Sequence, residues 1–75
     1  SNVEDGRKQV LEACIVRIMK ARKQLGHSDL LGEILRQVTT FKPEPKRIKQ
    51  SIESLIERDY LKRDEENSKL YTYLA

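Results

Sequence analysis

The chain has 75 residues, of which 37% are apolar and 36% charged, and its net charge is +3 at pH 7. A chain this short forms one small domain that buries only about 60% of its unfolded surface, which leaves little room for a deep catalytic cleft. No apolar run approaches the about 18 residues of a membrane span and no charged-then-apolar leader opens the chain, so we expect neither.

The first predicted helix runs from about Lys8 to Gln24, after a short acidic lead-in in which Gly6 is predicted to be a break. It should end at Leu25-Gly26, because glycine readily takes the left-handed conformation that closes a helix. Its apolar residues recur at helical spacing and form one stripe. The stripe consists of Leu11, Cys14, Ile15, Ile18 and Met19. At about 100° per residue Lys20 lies about 180° from Leu11, so we expect its side chain in solvent.

The second predicted helix runs from Leu30 to about Val38, with Ser28 as its N-cap. Its apolar residues share one face. They are Leu30, Leu31, Ile34, Leu35 and Val38. Gly32 costs about 1 kcal/mol relative to alanine inside a helix, so we expect a close helix–helix approach there as compensation. Pro43 bars continuation of the helix, and Phe41 is predicted to plug the core from the linker.

The third predicted helix begins near Pro45, a residue accepted at a first helical position, and runs to about Asp59. Its buried stripe is Ile48, Ile52, Leu55 and Ile56. From residue 60 the period changes to two, which predicts strands at Leu61-Lys62-Arg63 and Leu70 to Leu74, joined by a polar tip. The predicted fold class is therefore α+β: a small winged helix, with a three-helix bundle followed by a C-terminal β-hairpin.

The chain offers no constellation of side chains for autonomous catalysis. Its single cysteine, Cys14, lies on the apolar stripe. Because one cysteine cannot form an internal disulfide, the sequence is compatible with a protein of a reducing compartment. Its single histidine, His27, lies beside the second helix, which favours a turn or capping contact. Two such residues are too few for a metal cluster, and the carboxylates of residues 64–66 lie on a hairpin tip that excludes no water. We expect no catalytic residue, metal or cofactor.

A winged helix also makes nucleic-acid binding a hypothesis, because many such domains lay the third helix in the major groove. That helix would offer Lys46, Arg47, Lys49 and Gln50. The wing, which is the predicted C-terminal β-hairpin, would place Lys62, Arg63 and Lys69 near the phosphates. Against this, Glu53 and Glu57 continue the exposed face of the helix, and carboxylates weaken phosphate contacts. A plain protein-interaction module is a third possibility.

The segment IVRIMKARK, residues 15–23, resembles the modification-site segment of the cullins, the scaffold subunits of multisubunit ubiquitin ligases. Four further segments resemble the same family. They are Asp5-Gly6-Arg7-Lys8, His27 with Leu30-Leu31, Ile52 to Tyr60, and the ending Tyr71 to Ala75. The resemblance covers the chain from Val3 onward and implies that residues 3–75 form a cullin C-terminal winged-helix domain. Ser1-Asn2 is expected to be a remnant of tag removal.

In the cullins the lysine after Ile-Met, here Lys20, receives a ubiquitin-like modifier of the Nedd type through an isopeptide bond. The resemblance thus implies that the chain is a non-catalytic regulatory domain of a cullin–RING ubiquitin ligase, located in the cytoplasm and nucleus. Attachment of the modifier to Lys20 is expected to activate this ligase. The partners it implies are the modifier, a RING-box subunit, a conjugating enzyme and a deconjugating signalosome. The cations around the acceptor are predicted to dock an acidic surface on this machinery. They are Arg17, Arg22 and Lys23.

Overall fold

The computed structural model of the protein describes residues 3–74, and its elements follow one another as three helices and three short strands. The helices are α1 (Val3–Arg22), α2 (His27–Gln37) and α3 (Pro45–Glu57). The strands are β1 (Gln24–Gly26), β2 (Leu61–Arg63) and β3 (Leu70–Tyr73). Residues 1, 2 and 75 lie outside the described part. The predicted tag remnant, residues 1–2, therefore lies outside the described residues. Within 3–74, no helix is long and apolar enough to cross a membrane.

The predicted C-terminal hairpin is confirmed, and a third strand extends it into a sheet of order β1-β3-β2. β2 pairs antiparallel with β3, so that Lys62 lies opposite Thr72. β1 pairs antiparallel with the other edge of β3, with Leu25 opposite Tyr71. The predicted α+β winged helix is therefore correct, except that the sheet has three strands. β1 escaped prediction because three residues are too few to show a period of two.

The predicted boundaries of the first helix are wrong at both ends. α1 begins at Val3 and continues through Gly6, where an added Cβ would meet no atom within 4 Å. It is closed by Lys23, whose φ of 72° is left-handed and whose N–H donates to the Met19 carbonyl at 2.7 Å. Gly26 has an ordinary φ of −72° and serves instead as the N-cap of α2. The sheet fixes this arrangement, since the Tyr73 N–H donates to the Lys23 carbonyl at 2.8 Å.

α2 begins at His27 rather than Leu30, and the predicted cap at Ser28 is wrong because Ser28 lies inside the helix. The loop before β3 supplies the partner that a capping side chain would have supplied. The His27 N–H donates to the carbonyl of Lys69 at 2.7 Å, which satisfies one of the free donors at the helix start.

The predicted close helix–helix approach at Gly32 is also wrong. The nearest atom to a Cβ added there is Nη1 of Arg36, at 3.4 Å and on the same helix. Of the predicted apolar face, Leu31 is only partly buried, and Leu35 is 46% exposed. α2 therefore presents a narrower buried stripe than the sequence predicts, and its glycine has no packing explanation.

α3 begins at Pro45, as predicted, but ends at Glu57 before the left-handed Asp59, whose φ is 66°. The three helices and the sheet enclose one core, and the predicted stripe of α1 lies entirely within it. Its fully buried side chains include Leu11, Ile15, Met19, Leu30, Ile34, Ile48, Ile52, Leu55 and Leu61. Phe41 packs against this core from the linker, as predicted, and the Arg7 guanidinium lies 5.0 Å from the centre of its ring.

Candidate functional site

Lys20 lies in the last turn of α1 with its side chain exposed to solvent, as the helical spacing predicts. Its chain neighbours anchor the turn: Met19 is fully buried and Ile18 is 4% exposed. Within residues 3–74, the Lys20 side chain makes no hydrogen bond, ion pair or ring contact. The backbone of this residue is thus held by the core while its amine is free to meet a partner.

The three cations around Lys20 are exposed, yet each contacts a side chain of a neighbouring element. The pairs are Arg17 with Gln37, Arg22 with Glu33, and Lys23 with Tyr73. The first two join α1 to α2, and the third joins the end of α1 to β3. Each of the predicted cations therefore has a contact within the domain.

Glu33 is one of the residues of this site that the sequence did not predict. It lies on α2, its side chain is only 12% exposed, and its Oε2 accepts a hydrogen bond from Nη2 of Arg22. Its other oxygen lies 3.7 Å from Nη2 of Arg36, one turn along α2. The i, i+3 spacing of Glu33 and Arg36 is visible in the sequence, but the partner on α1 becomes visible only when the two helices pack together.

Gln37 connects the predicted buried cysteine to the same surface. Its Oε1 accepts a hydrogen bond from Nη2 of Arg17 at 3.2 Å and lies 4.0 Å from the Cys14 sulfur. Cys14 is 1% exposed, which confirms it as a small core side chain. Burial raises the pKa of the Cys14 thiol, a shift that the nearby Arg17 opposes and Glu33 reinforces. The thiol is therefore kept protonated and away from solvent.

The side chain of His27 contacts a distant element, whereas the sequence predicts a turn or capping contact for this residue. Its Nδ1 lies 2.9 Å from the Tyr71 hydroxyl, and the two rings meet edge-on with centroids 5.9 Å apart. Tyr71 is 4% exposed, and burial raises the pKa of its hydroxyl. This pair joins the start of α2 to the central strand β3.

The surface predicted to meet nucleic acid is partly occupied by contacts within the domain. Arg63 pairs with Glu53 of α3, and its guanidinium lies 5.4 Å from the centre of the Tyr71 ring. Arg47 lies 3.5 Å from a carboxylate oxygen of Glu4 at the start of α1. Two of the guanidinium groups that would meet phosphates are therefore already paired with carboxylates.

The acidic wing tip shapes the hairpin turn. Oδ2 of Asp64 accepts hydrogen bonds from the N–H groups of Glu66, at 3.0 Å, and Asn67, at 3.1 Å. An aspartate that accepts from backbone two and three residues ahead is a turn-forming contact. The predicted interpretation of these carboxylates as exposed turn residues, and not as an acid–base pair, is consistent with this geometry.

Comparison with known proteins identifies the family. A family model described as the cullin protein neddylation domain matches residues 6–67. The chain is similar to Cullin-3 of Caenorhabditis elegans, with 55% identity over 74 residues, and to Cullin-3 of Dictyostelium discoideum, with 51% identity over 74 residues. Each alignment covers 97% of this chain and 10% of the relative. The chain thus spans about a tenth of the length of the curated relatives it matches.

A solved structure supports the same assignment. The chain is similar to Cdc53(WHB) in the complex described as "A Dual E3 Mechanism for Rub1 Ligation to Cdc53: Dcn1(P)-Cdc53(WHB)", with a TM-score of 0.89 and 42% identity. The match covers 95% of this chain and 83% of that one. The order of the elements, the exposed Lys20 segment and these comparisons agree: this chain belongs to the cullin family, as a winged-helix neddylation domain of a cullin scaffold.

Proposed function

We propose that Lys20 accepts a Nedd-type ubiquitin-like modifier, and that this modification activates the cullin–RING ubiquitin ligase to which the full-length scaffold belongs. One observation carries the proposal. Lys20 is exposed on the last turn of a helix anchored in the core, inside the segment that matches the neddylation domain. The similar Cdc53 domain is described with Rub1 ligation, which supports the same class of reaction here.

The reaction is an acyl transfer in which Lys20 is a substrate. Its neutral amine attacks the thioester carbonyl that joins the C-terminal glycine of the modifier to a cysteine of the conjugating enzyme. The carbon–sulfur bond breaks as the carbon–nitrogen bond forms, the thiolate leaves, and the amine gives up one proton. Within residues 3–74 no carboxylate lies in ion-pair distance of the Lys20 amine, so we infer that the proton passes to a group outside these residues or to water.

The resemblance to the cullins supplies the remaining partners of the proposal. A RING-box subunit, bound elsewhere on the scaffold, presents the charged conjugating enzyme to Lys20. The modified domain then repositions and frees the catalytic end of the ligase, and a deconjugating signalosome removes the modifier. These steps take place in the cytoplasm and nucleus, and the domain itself contributes no catalytic residue.

Conjugation assays on the full-length scaffold bound to its RING-box subunit test the proposal. Wild type is compared with Lys20→Arg, which keeps the positive charge but removes the primary amine. Lys8→Arg is the matched control, because Lys8 is an exposed lysine on the same helix. We expect one adduct on wild type and on Lys8→Arg and none on Lys20→Arg. Adducts at wild-type level on Lys20→Arg would disprove the assignment of the acceptor.

A further inference from the structure

The cations on either side of Lys20 are tied to α2 and not only to solvent. Arg17 precedes the acceptor by three residues and donates to Gln37, while Arg22 follows it by two and donates to Glu33. Both acceptor side chains belong to α2, the helix that packs beside α1. We infer that Glu33, acting through Arg22, is a positioning residue that fixes the last turn of α1 and so holds the Lys20 amine in line for attack. This inference rests on the proposed function of Lys20.

The last turn of a helix needs such an anchor because its carbonyl groups lack partners farther along the helix. Terminal turns consequently fray more readily than the middle of a helix. In α1 the left-handed Lys23 closes the chain by donating to the Met19 carbonyl, but this contact holds only the backbone. The contact between Arg22 and Glu33 adds a side-chain anchor from another element, two residues beyond Lys20.

The partial burial of Glu33 makes this anchor more than an ordinary surface ion pair. Exposed pairs contribute little because water and salt screen them. The Glu33 side chain is only 12% exposed, whereas that of Arg22 is 57% exposed. Because the Glu33 carboxylate is the more buried of the two groups, we infer that it orients the exposed guanidinium of Arg22. Arg36, 3.7 Å from the other carboxylate oxygen, holds it from the second side.

This arrangement predicts that Arg22 positions Lys20, which is a different role from docking the modification machinery. A docking cation would contribute to binding of the charged enzyme, and its loss would raise the concentration needed for half-saturation. A positioning pair acts after binding, because it sets the geometry of attack. A misplacement of about 1 Å can cost on the order of a hundredfold in rate, so loosening one helical turn should lower the saturated rate by roughly tenfold.

The test is single-turnover conjugation of the full-length scaffold with its RING-box subunit, at rising concentrations of charged conjugating enzyme. The variants are Glu33→Gln, Arg22→Gln, their combination, and the exchanged pair Arg22→Glu with Glu33→Arg. We expect each single variant to lose roughly tenfold in saturated rate at unchanged half-saturation. The combination should be no slower than either single variant, because both remove one interaction, and the exchanged pair should recover much of the rate.

Glu53→Gln is the matched control, since it removes another carboxylate–arginine pair, one that does not involve α1. It should conjugate at the wild-type rate. Amide hydrogen exchange provides a second measurement: in Glu33→Gln, exchange should quicken in the last turn of α1 while the core amides of α3 keep their protection. That pattern separates a loosened turn from a domain that fails to fold.

Two results would overturn the inference. Saturated rates equal to wild type in Glu33→Gln and Arg22→Gln would show that the pair does not position Lys20. If Arg22→Gln raised the concentration of charged enzyme needed for half-saturation and Glu33→Gln did not, Arg22 would be assigned to docking instead. Failure of the proposed function gives a distinct result, since wild type itself would then form no adduct or Lys20→Arg would keep one.

Discussion

Lys20 and Lys23 are three residues apart, a spacing that places two side chains side by side on a regular helix. The structure separates them because Lys23 has left-handed backbone and Lys20 does not. The amine of Lys23 lies 5.5 Å from the centre of the Tyr73 ring, whereas that of Lys20 extends from the helix into solvent. A single change of backbone conformation thus distinguishes one amine from the other.

Cys14 carries a prediction about pH at the same scale. Burial raises the pKa of its thiol above the ordinary value of 9.0. Between the unfolded and folded pKa values the native state binds more protons, so the free energy of unfolding must fall as the pH rises through 9.0. We expect the free energy of unfolding in urea to fall in this pH range for wild type but not for Cys14→Ala. The difference between the two proteins isolates the contribution of the thiol.

The comparison should be read below pH 10.0, the ordinary pKa of tyrosine, because the raised pKa of Tyr71 acts in the same direction above it. A thiol reagent offers an independent measurement: it should react with native Cys14 only as fast as the domain opens. A difference between wild type and Cys14→Ala that stays constant through pH 9.0 would contradict the prediction.

At the scale of elements, two of the predicted helix ends that failed, the end of α1 and the start of α2, were set by contacts with the sheet. α1 ends where Lys23 joins β3 through the Tyr73 N–H, and α2 begins where the His27 N–H reaches the Lys69 carbonyl. Helix end signals in a sequence report only local preferences for capping and for left-handed backbone. The partners that decided these ends are more than forty residues away along the chain.

Gly32 gives a prediction for α2. An added Cβ would meet only the flexible end of Arg36, at 3.4 Å, so the substitution needs no rearrangement of another element. Gly32→Ala should raise the free energy of unfolding by about 1 kcal/mol, because alanine loses less backbone entropy in a helix. Denaturant unfolding of the domain measures the difference.

The matched comparisons are glycines in two other settings. Gly6 is also inside a helix with open space around it, so Gly6→Ala should stabilise in the same way. Gly26 is the N-cap of α2 with an extended backbone, where alanine brings no helical gain. A destabilised Gly32→Ala beside a stabilised Gly6→Ala would mean that α2 requires a close approach at this glycine after all.

At the scale of the whole molecule, the domain is elongated, with principal extents of 37 × 23 × 21 Å. The first turns of α1, residues 3–10, are exposed throughout, and the helix then enters the core at Leu11. Lys20 lies about 25 Å along the helix axis from Val3. The proposed acceptor and the exposed start of α1 are therefore at opposite ends of that helix.

The distribution of charge over the whole surface predicts the outcome for nucleic acid. Arg63 and Arg47 pair with carboxylates, and Glu57 remains on the exposed side of α3. We expect the domain to be retained only weakly on duplex DNA, with an affinity that depends little on salt concentration, because few cationic side chains are available to contact phosphates. Retention that falls steeply with salt, and that Lys46→Gln with Lys49→Gln abolishes, would restore the nucleic-acid hypothesis.

The sequence by itself determined the number and order of the helices, the C-terminal hairpin, the buried stripe of α1 and the exposure of Lys20. These follow from short-range periodicity, since Leu11, Ile15 and Lys20 are placed on the helix by their spacing alone. The family resemblance, confirmed by the comparisons, marked Lys20 among the exposed lysines. Its role as acceptor stays a prediction for the conjugation experiment.

Only the tertiary structure decided β1, the left-handed turn at Lys23 and the contacts that hold the last turn of α1. Each of these depends on groups far apart in the chain: β1 on β3, and Arg22 on Glu33. Periodicity reports which face of an element is buried, but it cannot report which polar group lies opposite. That is settled when the elements pack and each buried or half-buried polar group must find a partner.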